Sequence, residues 1–441
     1  MRRTALNSTA RRSATLSGLG LLAITALSGC ALGGGGGGGG NGGGGDDGGE
    51  PVTLQFQSLA FQDTTIAATE DIADTWNADN PDVQVEIIQG SWDNVQDQLV
   101  TQFQGGTAPD IIHYESAAIM SFAEQGYLAD LSDTLSDEVM ASVSDDVWGT
   151  VTSSDGAIIA APTLMQSYVV FANADALEDA GVAVPTGETM TWDEFAEIAR
   201  ATTGDDTYGV AWGLRSPTAT VMNMALNFGG TFFEGEGEEA TINVGDAELE
   251  VPRRIHSMAY EDQSIDPVSL TQSGTDALPG FFGGTSAMFF GGNFYAQQIS
   301  ESAPEDFNWV VLPPLEGSEG IAQAANPQTL SVPAESDNAE AAGEFINYFM
   351  NAENQAALAQ GDWLIPASAE AREVVATETG GENGWDVILQ TAEALTVAPF
   401  QSASGYVQWR DQVATPALQQ YFADEISIDE LQSQLQEGYS S

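Results

Sequence analysis

The sequence predicts an α/β protein of two lobes, in which sheets of mostly parallel strands carry helices on their faces. Two observations lead there. Short strand patterns alternate with amphipathic helix patterns along the chain, and this βαβα order favours parallel sheets with helical layers. The segment that carries them, about 52–441, is long enough for two cores rather than one.

The first elements are clear. Val52, Leu54 and Phe56 alternate as a strand. Ile66, Ile72, Ala73 and Trp76 mark one face of a helix. After Pro81, the alternation of Val83, Val85 and Ile87 predicts a second strand. Val95, Leu99 and Phe103 then recur at helical spacing, with Ser91 placed to cap the helix and Gly105-Gly106 to stop it. Asp110 to Tyr114 reads as a short buried strand, followed by a helix to Gly126. The pattern then restarts. Ile158 to Phe171 is strand-rich, Thr191 to Glu194 spells a capping box, and Tyr208 to Trp212 is a strand. Phe307 to Leu312 and Leu330 to Pro333 are further strands. Ala341, Phe345 and Phe349, then Leu418, Phe422, Leu431 and Leu435, mark the closing helices.

The N-terminus points to export. Residues 1–15 hold four arginines and no acid, and an apolar run from Leu16 to Leu27 follows. That run is too short for a stable membrane span and has the layout of a leader, expected at 1–29. Its end, Leu27-Ser28-Gly29-Cys30, resembles the lipobox of bacterial lipoproteins. The resemblance implies cleavage before Cys30 and acylation of that residue, hence a lipid anchor on the outer face of the cell membrane. Cys30 is the only cysteine, so no intrachain disulfide can form. The paired arginines fit a twin-arginine signal loosely, and both export routes stay open. Residues 30–51 form the expected tether: Gly33–Gly49 is almost all glycine, with Asn41, Asp46 and Asp47, a flexible coil with a reach of about 25 Å.

Charge excludes one class of partner. There is no lysine; past Cys30 six arginines face 65 acids, a formal charge of −59. Nucleic acid needs a basic footprint, which is missing. Nine tryptophans and nineteen phenylalanines argue for a folded body rather than an acidic disordered chain. An acid-coated surface suits high salt, where a Debye length of about 3 Å at 1 M screens the repulsion.

Enzymatic readings lack parts. Neither His113 nor His256 sits in a metal-ligand spacing, and His113, inside an apolar strand, reads as a satisfied core residue. No Gly-x-Ser-x-Gly elbow occurs, no cofactor is expected, and among 65 acids no carboxylate pair is informative about glycoside hydrolysis.

Three ordered blocks resemble the family 1 extracellular solute-binding proteins, which include the maltose-binding proteins of ABC importers. The first holds Trp76-Asn77, Asn80 to Val83, Trp92, Gly106 to Ile111 and Gly126 to Leu131. The second holds Ala161-Pro162, Phe171 to Asn173 and Thr191 to Phe195. The third holds Phe281 to Met288, Leu312 to Pro314, Ala341 to Ile346 and Gly361 to Pro366. Lysines usual in relatives are absent here. The resemblance implies a two-lobed periplasmic-binding-protein fold of type II, with hinge strands near 161–171, 324–331 and 364–367. Lobe 1 would be 52–162 with 326–365, and lobe 2 would be 163–325 with 366–441. It also implies a monomeric, non-enzymatic receptor that takes a carbohydrate into the interlobe cleft and delivers it to a permease. A polyol phosphate or quaternary ammonium solute on the same fold is the alternative, and a surface glycosidase a more distant one.

A sugar needs aromatic faces for its C–H groups and carboxylates or amides for its hydroxyls. Tyr114 and Glu115 follow a buried strand, where open sheets place ligands. Phe294 and Tyr295 follow Gly291-Gly292-Asn293, Trp363 lies beside a hinge, and one of Tyr406 and Trp409 corresponds to a platform used by relatives. Gln57 and Ser58 end the first strand, Gln166 lies in a hinge segment, and Asn326 and Gln328 lie near the return. Arg215 either binds a ligand oxygen or pairs with one of the many carboxylates; the second reading is preferred.

Overall fold

The computed structural model describes residues 51–235 and 237–439. The expected leader, Cys30 and the glycine run lie outside them.

The first sheet forms where the pattern predicts. β1 (Val52–Ser58) lies between β2 (Val83–Gln89) and β3 (Ile111–Glu115), parallel to both, with Leu54 beside Val85 and Phe56 beside Ile111. The strand Gln328–Ser331 then runs against β3, and β4 (Ala161–Pro162) closes that edge. Below the sheet Phe56 meets the rings of Phe345 and Phe349 edge-on, 5.9 and 5.7 Å away. These rings come from the predicted helix, found at Ala339–Phe349.

The second sheet has the order Trp309–Val311, β6 (Tyr168–Asn173), Ser286–Gly292, Tyr208–Trp212. β6 is antiparallel to both neighbours, while Ser286–Gly292 and Tyr208–Trp212 are parallel. Each sheet therefore has one reversed strand, and the rest point one way. The reversed strands, Gln328–Ser331 and β6, follow directly on segments that cross between the sheets. A third crossing pairs β5 (Leu164–Met165) with Ile365–Pro366.

The helices keep their predicted faces with local changes. α1 (Asp63–Asp79) buries Ile72, Ala73 and Trp76, but Thr65 and Thr69 take the inward positions expected of Ile66. α2 (Val95–Gly105) buries Val95, Leu99 and Phe103, and Gly106 ends it in the left-handed region. Ser91 does not cap it: the residue before the helix is Asn94, at φ 62°, and the Ser91 hydroxyl instead accepts from the Asp93 amide. Three residues, the last of them left-handed Asn94, thus separate the expected cap from the helix. The capping box at Thr191 and Glu194 is complete. Strands expected at 307–312 and 330–333 shorten to Trp309–Val311 and shift to Gln328–Ser331. Among the described residues no helix is long and apolar enough to cross a membrane.

Candidate functional site

The C-terminal ends of β1, β2 and β3 meet at one cavity: Phe61 and Trp92 reach it from the loops after β1 and β2, and Glu115 as the last residue of β3. The cavity measures about 310 Å³. Its far wall is Phe294 from the second sheet; Leu164, Gln166, Asp362 and Leu364 come from the crossings, and Asn326 and Gln328 from the return. Phe61 is 72% exposed, an unusual placement for a ring that has no core to fill.

The polar groups are held in place. Asn326 donates from Nδ2 to Glu115 Oε2 at 3.0 Å, and its Oδ1 accepts from Ser116 Oγ and the Ala117 amide. One side chain thus fixes both the Glu115 carboxylate and the start of α3 (Ser116–Glu124). Gln328 Oε1 lies 2.9 Å from His113 Nε2, while His113 Nδ1 accepts from the Leu59 amide at 3.0 Å. That pattern needs a neutral imidazole protonated on Nε2. Burial pulls the His113 pKa down to about 4, against the raising effect of the Gln328 bond. His113 is the satisfied core residue its strand predicted. Asp362 is 7% exposed, and one oxygen accepts from Thr65 Oγ1. Burial pushes its pKa up to about 6.

A second cavity of about 250 Å³ adjoins the first, sharing Gln166 and Phe294. Its walls belong to the second sheet: Tyr168, Trp212, Arg215, Tyr295 and a floor that includes Gly274 and Gly292. Two of these glycines are required by packing. A Cβ at Gly292 would overlap the Phe294 ring, and one at Gly274 would overlap Tyr295. Arg215 pairs with Asp276 at 3.2 Å on the open side.

The remaining sequence candidates lie elsewhere. Tyr114 is buried behind Trp92, ring centroids 6.1 Å apart; burial and the adjacent Glu115 push its pKa up to about 12. Gln57 is 1% exposed with both amide atoms unpartnered, and Ser58 Oγ accepts from the Ala60 amide. Trp363, at φ 54°, stacks on Trp385 at 5.0 Å, and its carbonyl accepts from the buried Asn293. Trp409 sits in the core beside Phe233 and donates to the Leu435 carbonyl. Tyr406 is also buried, but Arg410 lies over its ring at 5.8 Å and Glu115 contributes to raising its pKa, after burial. Phe61, Gln62, Trp92 and Asp362 line the cavity without having been singled out. Trp92 had a signal in its place just beyond the second strand; Asp362 had only its neighbour Trp363.

Two α/β units joined by three crossings, with a cavity where strand ends face each other, define a two-lobed binding protein. The profile of the bacterial extracellular solute-binding proteins matches residues 62–356, and the chain belongs to that family. Its members bind solutes and are not enzymes. The chain is 43% identical over 376 residues to an uncharacterised lipoprotein from the oleD 5' region of Streptomyces antibioticus, covering 85% of this chain and 83% of that one. It is 22% identical over 310 residues to the diacetylchitobiose binding protein DasA of Streptomyces coelicolor, covering 66% and 70%. Among solved structures, the GacH receptor of Streptomyces glaucescens, known with acarbose, superposes with a TM-score of 0.74 at 19% identity, covering 88% and 97%. The cyclic α-maltosyl-1,6-maltose binding protein of Arthrobacter globiformis does so at 0.75 and 16%, covering 88% and 98%.

Proposed function

We propose that this protein is a monomeric, lipid-anchored receptor of an ABC importer that captures a carbohydrate between its lobes. The observation that carries the reading is the first cavity. Three aromatic rings, Phe61, Trp92 and Phe294, surround amides and carboxylates whose positions are fixed by hydrogen bonds. Rings stack on the C–H faces of a sugar, and the polar groups pair with its hydroxyls. The sugar-binding proteins among its relatives support the same class.

Glu115, Gln166, Phe294, Asn326 and Gln328 contact the ligand in this reading, with Phe61, Trp92 and Asp362. Tyr295 and Arg215 extend the site. Tyr114 and Tyr406 back it, and Gln57, Ser58, Trp363 and Trp409 support the fold around it. In this reading the lobes comprise 52–162 with 326–365 and 163–325 with 366–441. A ligand that touches both lobes favours the closed form by its differential affinity. Acylation of Cys30 holds the body at the outer membrane face, within reach of a permease.

A thermal-shift screen in molar salt tests the ligand class. A ligand at a hundred times its Kd adds about 2.7 kcal/mol. Shifts with mono- or oligosaccharides uphold the reading; shifts only with polyol phosphates or betaines replace it. Labelled fatty acid should enter the protein in cells, and Cys30→Ser should abolish that.

A further inference from the structure

The first cavity has an unbalanced charge. Glu115 and Asp362 are its ionisable lining residues, and no arginine, lysine or histidine joins them. The cation that couples to Glu115 is already engaged. Arg410 reaches toward Glu115 from the second lobe, but its guanidinium bonds Asp411 at 2.8 Å and lies over Tyr406. The phenols of Tyr114, Tyr168 and Tyr406, which also sense Glu115, have pKa values raised by burial and carry no charge near neutrality.

Asp362 is the more telling group. It ends the helix Ala352–Asp362, where the helix dipole disfavours a carboxylate. From α1 it receives only the Thr65 hydroxyl, on Oδ1; among the described residues nothing donates to Oδ2. Arg372, on the next helix, turns instead to the carbonyls of Pro366 and Ala367. A carboxylate buried to this degree, held by a single protein donor and set on a cavity wall, is costly without a counter-charge. The rings of Phe61, Trp92 and Phe294 line the same cavity, and aromatic faces attract a cation.

We propose that the ligand carries a protonated amino group: an amino sugar or basic glycoside whose ammonium sits among these rings, with Asp362 and Glu115 as its counter-charges. This inference rests on the carbohydrate reading above. A neutral sugar satisfies the carboxylates only by hydroxyl donation, and leaves their charge uncompensated. Binding an ammonium favours ionised Asp362, so affinity is full above about pH 6 and falls as the pH drops through that value.

The test is calorimetric titration of the full mature protein with the β-1,4 glucosamine disaccharide and its N,N'-diacetyl form, which share rings and linkage and differ in charge. The amine is expected to bind at least about tenfold more tightly. It should also release protons near pH 6, measured in buffers of different ionisation heat. Asp362→Asn and Glu115→Gln should each collapse the amine-to-neutral affinity ratio, with melting temperature as the folding control. Equal or tighter binding of the diacetyl form, or of other neutral saccharides, overturns the amine inference and leaves the carbohydrate reading standing. Silence of every saccharide overturns both.

Discussion

The two compartments of the cleft are built from opposite materials. The first, at the ends of β1 to β3, is made of side chains that reach inward and are braced from behind: Asn326 behind Glu115, His113 behind Gln328, Thr65 behind Asp362. The second owes much of its surface to backbone, with Gly213, Gly274, Gly291 and Gly292 letting rings and ligand approach closely. Braced side chains can discriminate between hydroxyl and amine patterns. A glycine floor offers room and tolerates length. Under the proposed carbohydrate reading, ligand identity is read in the first compartment and chain length accommodated in the second.

Five substitutions would break or sharpen this contrast. Phe294 belongs to both compartments, so Phe294→Ala should cost about 2 to 3 kcal/mol of binding, at least roughly thirtyfold in Kd by calorimetry. Gly292→Ala, whose Cβ meets the same ring, should mimic it. Retained affinity in both would remove Phe294 from the site.

His113 tests the bracing of the first compartment. Its folded pKa of about 4 lies below the ordinary 6.5, so the unfolded chain binds the proton first. The stability it contributes is present above about pH 6.5 and is lost as the pH falls toward 4, up to about 3 kcal/mol. Denaturant melts across that window should show the loss, and His113→Gln should flatten it.

Asp362 carries the opposite sign. Its folded pKa is raised from 3.8 to about 6, so ionisation destabilises the fold as the pH rises through that interval. Asp362→Asn should therefore stabilise the protein near neutrality by about 2 kcal/mol while weakening ligand binding. A variant that lost both stability and binding would make Asp362 a structural residue. The smallest effect is expected at Arg215, whose partner Asp276 is exposed: Arg215→Ala should change Kd by less than about threefold.

Much of the frame was legible in the sequence, because period and punctuation are local. Leu54, Phe56, Val85 and Ile111 form the first sheet their alternation predicts, and Thr191 with Glu194 caps its helix. The reversal of β6 and of Gln328–Ser331 was not readable, since a strand's sense depends on which lobe it leaves. The site was less legible still. Trp409 and Phe61 are both large aromatics near element ends, yet one fills a core and the other projects into a cavity. Periodicity marks what is buried somewhere; it does not say whether the burying partner is protein or ligand. Asp362 was hidden for another reason: it is the last residue of its helix, at the end where the dipole disfavours a carboxylate, so no local pattern marks it.

The reversed strand Gln328–Ser331 also sets an order of events in folding. Tyr114 and its partner Thr329 are 215 positions apart, and between them the chain makes the whole of the second sheet. Until that strand emerges, β3 presents an open edge of Ile111, Ile112 and Tyr114, the kind of template on which nascent chains pair wrongly. With no lysine and a large excess of acids over arginines along its whole mature length, the polypeptide repels its own copies during this interval. The acidic coat thus serves the unfinished chain, during export and before any ligand is met, as much as the finished receptor.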